Sequence, residues 1–343
     1  MRKKYVAVVL SVIMVLCAAS LAGAKEKVYT WKFQAHMTNK AATTGKNLDR
    51  FIEMIDKNTN GRVKIERHSV DSITGRMEML DAASMGVLQA FVAVGGYWQG
   101  TVPIGMIENG LPQSWRNINE IEEILWDYGL EELARKEYAK HGVYLLTNYA
   151  AAPALLSFHM RKPVQGLDDL KGKKIRGFGP ILQLIKKLGG SPISLSLAEV
   201  YSALATGALD GTYLAALWSG PNKISEVAPY FLWPPVDVGG THHIMLSMDA
   251  WEKLPDDLQS IVYLTAKDWA HWNNRYYAAR NLPDRAQLEK WGFKVIDMPE
   301  DYQEGLTKVS MELWEEQAKK DQACAEAVQL LKTYFKETGR PGF

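Results

Sequence analysis

Few residues in this chain of 343 are spaced for catalysis. His242 and His243 are adjacent. On a strand such neighbours point to opposite faces and make a poor metal chelate. One of the pair is therefore expected in the core or a cleft and the other outside. Gly95-Gly96 and Gly189-Gly190 lack dinucleotide-fingerprint spacing, and no GxxxxGK loop or GxSxG elbow occurs. No nucleophile, base or metal-ligand set converges in recognisable order, which argues against an enzyme. Arg176 is a different case. A guanidinium fork matches the two oxygens of a carboxylate, and a water-free cleft strengthens the pair. On the residues alone, an arginine at a strand end most simply holds a surface carboxylate.

The elements around these residues follow a repeating order. Val28 to Ala35 alternates as a strand, Thr43 to Asn58 has helical spacing, and Asn60-Gly61 stops it. Val63 to His68 is a strand, Met77 to Met85 a helix, and Leu88 to Val94 a strand before Gly95-Gly96. Strand, helix, strand, helix, strand is the pattern of a parallel sheet covered by helices. Ile118 to His141 reads as a charged amphipathic helix region and Val143 to Tyr149 as a buried strand. A second series runs from the strand Leu155 to Arg161 through Lys174 to Gly177, Ile181 to Leu188, Ile193 to Leu195 and Leu197 to Thr206 to a strand at Leu209 to Tyr213. His242 to Ser247 is a further strand. Pro255 opens a long helix with Asp256 and Asp257 in its first turn, where the helix dipole favours acids. Pro283 should kink or divide that helix. Phe293 to Ile296 is a strand, and Asp301 to Lys336 is mostly helix.

The N-terminus bounds the compartment. Arg2, Lys3 and Lys4 precede an apolar run from Tyr5 to about Ala19, and Ala22-Gly23-Ala24 supplies small residues for cleavage. This reads as a secretory signal over residues 1–24. The run is short for a spanning helix, which needs about 20 apolar residues. Cys17 leaves with the signal, so Cys324 stands alone and no intramolecular disulfide forms. The whole chain carries a formal charge of +1, and loss of the three basic leader residues turns it to −2. No basic stripe invites nucleic acid. The length suits about two domains.

From Arg161 onward the residues become specific. Arg161-Lys162-Pro163-Val164, Leu167-Asp168-Asp169-Leu170-Lys171-Gly172-Lys173-Lys174-Ile175-Arg176, Glu199-Val200-Tyr201-Ser202-Ala203-Leu204 and Thr206-Gly207-Ala208-Leu209-Asp210-Gly211 stand in order. Together they resemble the extracytoplasmic solute receptors of TRAP transporters, the dicarboxylate-binding DctP-like family. The resemblance extends through Trp31 to Ala35, Asn60-Gly61-Arg62-Val63, Leu254-Pro255 and Gly292-Phe293-Lys294-Val295. It implies an α/β, two-domain periplasmic binding protein fold. Each domain is then a mixed, mostly parallel sheet flanked by helices, with the ligand cleft between them. The expected division is 25–152 plus 239–280 for one domain and 153–238 plus 281–343 for the other. The chain would cross near Ala150 to Pro153, Val236 to Gly240 and Tyr276 to Pro283. It also implies a receptor that closes by hinge motion on a small organic acid and hands it to TRAP membrane subunits. The expected setting is the periplasm and the expected state a monomer.

The resemblance assigns Arg176 to the ligand carboxylate. It also marks departures. Sialic-acid-binding members carry an arginine where Leu155 stands, an asparagine at Leu214, an acid at Val94 and an aromatic at Leu197. Aliphatic residues there would leave the hydroxyls of a sugar acid unpaired, at about 1–3 kcal/mol each. A monocarboxylate with an apolar or aromatic body fits better. Keto-acid-binding members use a glutamate to hold a cation where Tyr213 falls. No metal or other cofactor is therefore expected, and the Tyr213 hydroxyl is a candidate donor to the ligand. Tyr97, Phe178, Trp218 and His243 complete the candidates, with ordinary core packing an equal reading for each. Glu199, Tyr201 and Arg161 are expected to be structural. A binding protein of an ATP-driven importer, a periplasmic sensor partner and, at a further remove, a periplasmic enzyme remain alternatives.

Overall fold

The computed structural model describes residues 27–36, 43–151, 155–281 and 283–340. The leader over residues 1–24 and part of the first expected crossing lie outside the described residues. Two mixed sheets organise the chain. The first contains β1 (Tyr29–Ala35), β2 (Val63–Arg67), β3 (Ala90–Ala93), β4 (Val143–Ala150) and β10 (Thr241–Ser247), in the order β2-β1-β3-β10-β4. The second contains β5 (Leu156–Met160), β6 (Lys174–Gly177), β7 (Ser191–Ser194), β8 (Gly211–Ala215), β9 (Tyr230–Trp233) and β11 (Lys294–Asp297), in the order β11-β9-β5-β8-β6-β7. In the first sheet β1 runs parallel to β2 and β3, whereas β10 is antiparallel to both its neighbours. In the second, β5 is the antiparallel strand between β8 and β9.

Each sheet buries both faces. On one face of the first lie the helix Thr43–Asn58 and the long helix Asp256–Asn281. The former places Leu48, Phe51 and Ile55 inward at helical spacing. Phe51 meets Trp269 of the latter with ring centres 5.3 Å apart, and the Trp269 indole donates to the Asn47 carbonyl at 2.8 Å. The other face packs on the helix Leu130–Ala139. The expected single helix region from Ile118 is split. A helix over Ile118–Glu122 runs into a wide turn over Glu123–Asp127, and Gly129, at φ +85°, breaks the chain before the next helix. Only a residue without a Cβ adopts that conformation freely.

The long helix ends at Asn281. Asp284 then caps a new helix, Arg285–Lys290, by accepting from the Gln287 amide at 2.8 Å. The division at Pro283 is that expected from the lost N–H and the ring clash of proline. Helix Asp301–Ala318 packs on Ile181–Lys187 beside the second sheet, and helix Gln322–Glu337 returns to Leu130–Ala139 beside the first. Strand β9 carries no alternation that separates it from the loop before Pro234-Pro235, and only the structure shows it.

One close approach positions the loop after β3. A Cβ on Gly95 would collide with the Gly105 carbonyl and the Glu108 carboxylate, so the turn Gly95–Trp98 can lie against helix Gly105–Gly110 only with glycine there. Gly95→Ala should destabilise the protein by about 1–3 kcal/mol, the range for overpacking a filled site. A urea titration that found the variant within a few tenths of wild type would refute this role for the contact.

Candidate functional site

The carboxyl ends of β1 and β3 meet the second sheet across a cavity of about 840 Å³. Strand ends of α/β sheets are where backbone groups and loops converge on ligands. From the first-sheet side His36, Val94 and Tyr97 line it, with Asn109, Thr241 and His242 behind them. From the second come Leu156, Phe178, Ile181 and Tyr213. Asp237 and Gly239-Gly240 of the linking segment form part of the wall, and Glu316, Gln317 and Lys320 stand at another edge.

Arg176 is held by carbonyls rather than by an acid. Its Nε donates to the Leu195 carbonyl at 3.1 Å and one terminal nitrogen to the Tyr213 carbonyl at 3.3 Å. The residue is 6% exposed, and among the described residues no carboxylate lies within ion-pair distance. Burial pulls its pKa downward. Phe178 lines the cavity and packs on this guanidinium. Its ring centre lies 5.2 Å from the guanidinium carbon, and its own side is 44% exposed. Arg176 thus abuts the cavity without lining it.

A scan against protein-family models matches residues 34–321 to DctP, the bacterial extracellular solute-binding protein family 7. The chain belongs to this family. Among curated proteins, a monocarboxylate 2-oxoacid-binding periplasmic protein of a Nostoc species is 26% identical over 289 residues, covering 81% of this chain and 77% of that one. Among solved structures, a TRAP periplasmic solute-binding protein from Rhodobacter sphaeroides in an apo open form superposes with a TM-score of 0.79 at 21% identity, covering 91% and 99% of the two chains. Another, from Pseudoalteromonas atlantica with bound sodium and pyruvate, gives 0.72 at 22% identity, covering 91% and 95%. These likenesses place the fold among two-domain TRAP receptors, which are binding proteins of extracytoplasmic transport. Among the described residues no helix is long and apolar enough to cross a membrane, and no cluster of acids, histidines and cysteines is placed to hold a metal ion.

In this family 7 protein the candidate residues separate by strand face. Val94, Tyr97, Phe178 and Tyr213 line the cavity. Leu155 and Leu214 do not; both are core residues, and Trp218 packs against the same core. His243 is fully buried, with Nδ1 2.8 Å from the Glu108 carboxylate and the Trp98 ring stacked at 6.0 Å. Alternation accounts for most of this. Leu156, Tyr213 and His242 face the cavity, so their neighbours Leu155, Leu214 and His243 face away. His243 lies in the core, as one of the pair was expected to, whereas His242, expected outside, is half-buried and lines the cleft. Tyr213 donates its hydroxyl to Asp237 at 2.9 Å rather than leaving it free for a ligand.

His36, Asn109 and Asp237 escaped the sequence reading, and His242 entered it only as one of an adjacent pair with opposite faces. Asp237 lies in the expected crossing, and its acid type beside Gly239-Gly240 was the available signal. Helix Gly105–Gly110, which carries Asn109, has too few residues for a periodic pattern. Asp237 also accepts from the Gln113 amide at 2.8 Å, but burial still raises its pKa to about 6. His36, bonded through Nδ1 to the Tyr97 hydroxyl at 2.8 Å, is pushed down to about 4 by burial and by His243 and Arg76. Burial likewise holds His242 well below its ordinary value, with help from His36 and His243, and lowers His159 to about 4.

The signs oppose. Each lowered histidine leaves the unfolded chain holding more protons between about pH 4 and 6.5, so its stabilisation is present above pH 6.5 and lost as pH falls. Asp237, raised, does the reverse: its contribution is present below about pH 4 and lost as pH rises through about 6. Three histidines outweigh one acid, so stability should fall as pH drops from 6.5 to 4. Each proton contributes at most about 1.4 kcal/mol per pH unit. His36→Asn should flatten the slope and Asp237→Asn steepen it. Melting curves across this range that show equal slopes in all three proteins would contradict the assignment.

Proposed function

We propose that this protein is the periplasmic receptor of a TRAP transporter and closes around a small monocarboxylate with an apolar or aromatic body. In this reading 25–152 with 239–280 and 153–238 with 281–343 are the hinged halves, and residues 1–24 are the export leader. The carrying observation is Arg176: a desolvated cation beside the cavity, bonded to two carbonyls and lacking an acidic partner. A buried charge without a counter-charge is unfavourable. A ligand carboxylate supplies that counter-charge, and rotation of Phe178 opens the way. Val94, Met106, Leu156 and Ile181 give the cavity apolar walls that suit a hydrocarbon body. Ligand would bridge the two sides and shift the population toward the closed form that membrane subunits recognise. A second reading, a short 2-oxo acid, is favoured by the Nostoc relative.

Arg176→Ala should lower carboxylate affinity by about 10- to 100-fold, the range of a charge-assisted hydrogen bond. Arg176→Lys should fall between, because a point charge replaces a fork. The ligand-free melting temperature of Arg176→Met should be unchanged or higher, since an unpaired buried cation is removed. Titration calorimetry against a panel of carboxylates reads the first two. Affinity that ignored Arg176 would sink the carboxylate anchor, and strong binding of neutral solutes alone would sink the acid-receptor reading.

A further inference from the structure

Behind the cleft lies a second cavity of about 170 Å³ on the first-sheet side, and His36, Ala151 and His242 line both. Its inner wall is aromatic: Tyr149, Trp269 and Tyr277 surround it, with Tyr149 edge-on to Trp269 at 4.9 Å. An apolar cavity of about 150 Å³ is large enough for a benzene ring. Edge-to-face contacts with such walls favour a further flat ring over a flexible chain. Two polar atoms at this place are buried and have no partner among the described residues, His36 Nε2 and the Tyr277 hydroxyl. Both residues are 2% exposed. Buried polar atoms are ordinarily bonded, and each exception asks for a partner. The Tyr277 phenol is pushed upward by burial and stays a neutral donor. Nothing in the Arg176 site accounts for this arrangement.

We propose that the side cavity receives the ring of the ligand, which makes the ligand a monocarboxylate bearing one aromatic ring, with a ring hydroxyl directed at Tyr277 and His36. This rests on the carboxylate-receptor reading and names its ligand class. The carboxylate engages Arg176 from the second-sheet side, and His36 and His242 must part to admit the ring. Their rings already meet edge-on at 4.7 Å and form the boundary between the two cavities. Size sets the specificity. One six-membered ring fits about 170 Å³, and a fused pair does not.

The test is calorimetric binding of phenylacetate, 3-phenylpropionate and their 4-hydroxy forms, compared with hexanoate and pyruvate, on the whole mature protein. At least one ring acid should bind about tenfold or more tighter than hexanoate, within the discrimination an apolar pocket can supply. Thr44 and Leu48 line the side cavity and not the cleft. Thr44→Phe fills the space from a partly exposed helix position and should cost the ring acids about tenfold or more while leaving pyruvate within about twofold. Leu48→Phe gives the same readout if the first variant fails to fold. Tyr277→Phe should weaken only the hydroxylated acids. Ring acids that bind no tighter than hexanoate, or ring binding indifferent to both filling variants, would overturn the proposal. Ring acids that kept their affinity in Arg176→Ala but lost it in Thr44→Phe would remove the carboxylate anchor and leave the ring site standing.

Discussion

The buried carboxylate of Glu108 is the contact on which the first half of the structure turns. It is fully enclosed, accepts from the Tyr138 hydroxyl at 3.1 Å and from the Asn148 amide, and meets His243 at 2.8 Å. Those partners come from a helix, from β4 and from β10, while Gly95 leaves room for it beneath the loop after β3. An acid without such partners could not be held in a dry core. With them it ties helix Gly105–Gly110, against which the loop carrying Val94 and Tyr97 packs, to the two strands beside it. The cavity wall therefore inherits its shape from a polar cluster on the opposite face of the sheet.

A parallel economy governs the second half. Tyr213 meets Arg176 through its carbonyl and Asp237 through its hydroxyl, so one residue sets the places of a cation and an acid. Asp237 is in turn joined to Gln113, whose side chain also bonds the Val236 carbonyl and Arg340. The segment linking the sheets is thus fastened by Tyr213, which lines the cavity, and by Gln113, which does not. Charge at the cleft and geometry at the linking segment are parts of one network.

The sequence disclosed the fold at the level of elements and order. Thr43–Asn58, Lys174–Gly177 and Leu197–Thr206 stand where periodicity and glycine placed them, and Pro283 divides the long helix as its chemistry requires. Family motifs added the two-domain class and pointed to Arg176. What remained hidden has physical causes. Strand alternation makes a one-residue error a change of face, which is why Leu155, Leu214 and His243 were drawn to a cavity that Leu156, Tyr213 and His242 line. Short elements such as Gly105–Gly110 and β9 offer no period to read. His36 gains its place only when β1 is set beside the loop after β3, a relation that no local pattern encodes.

The order of strands in the first sheet carries a consequence for how the chain is made. β10 sits between β3 and β4, and its partners Ala93 and Asn148 are made long before His243. Until that strand emerges, β3 and β4 each keep an open edge, and the nucleus of the first half is incomplete. Pairings so distant along the chain slow folding, because loop closure must precede the contacts that reward it. The first sheet can therefore close only after β10 has been made, although β1 can pair with β2 and β3 before it.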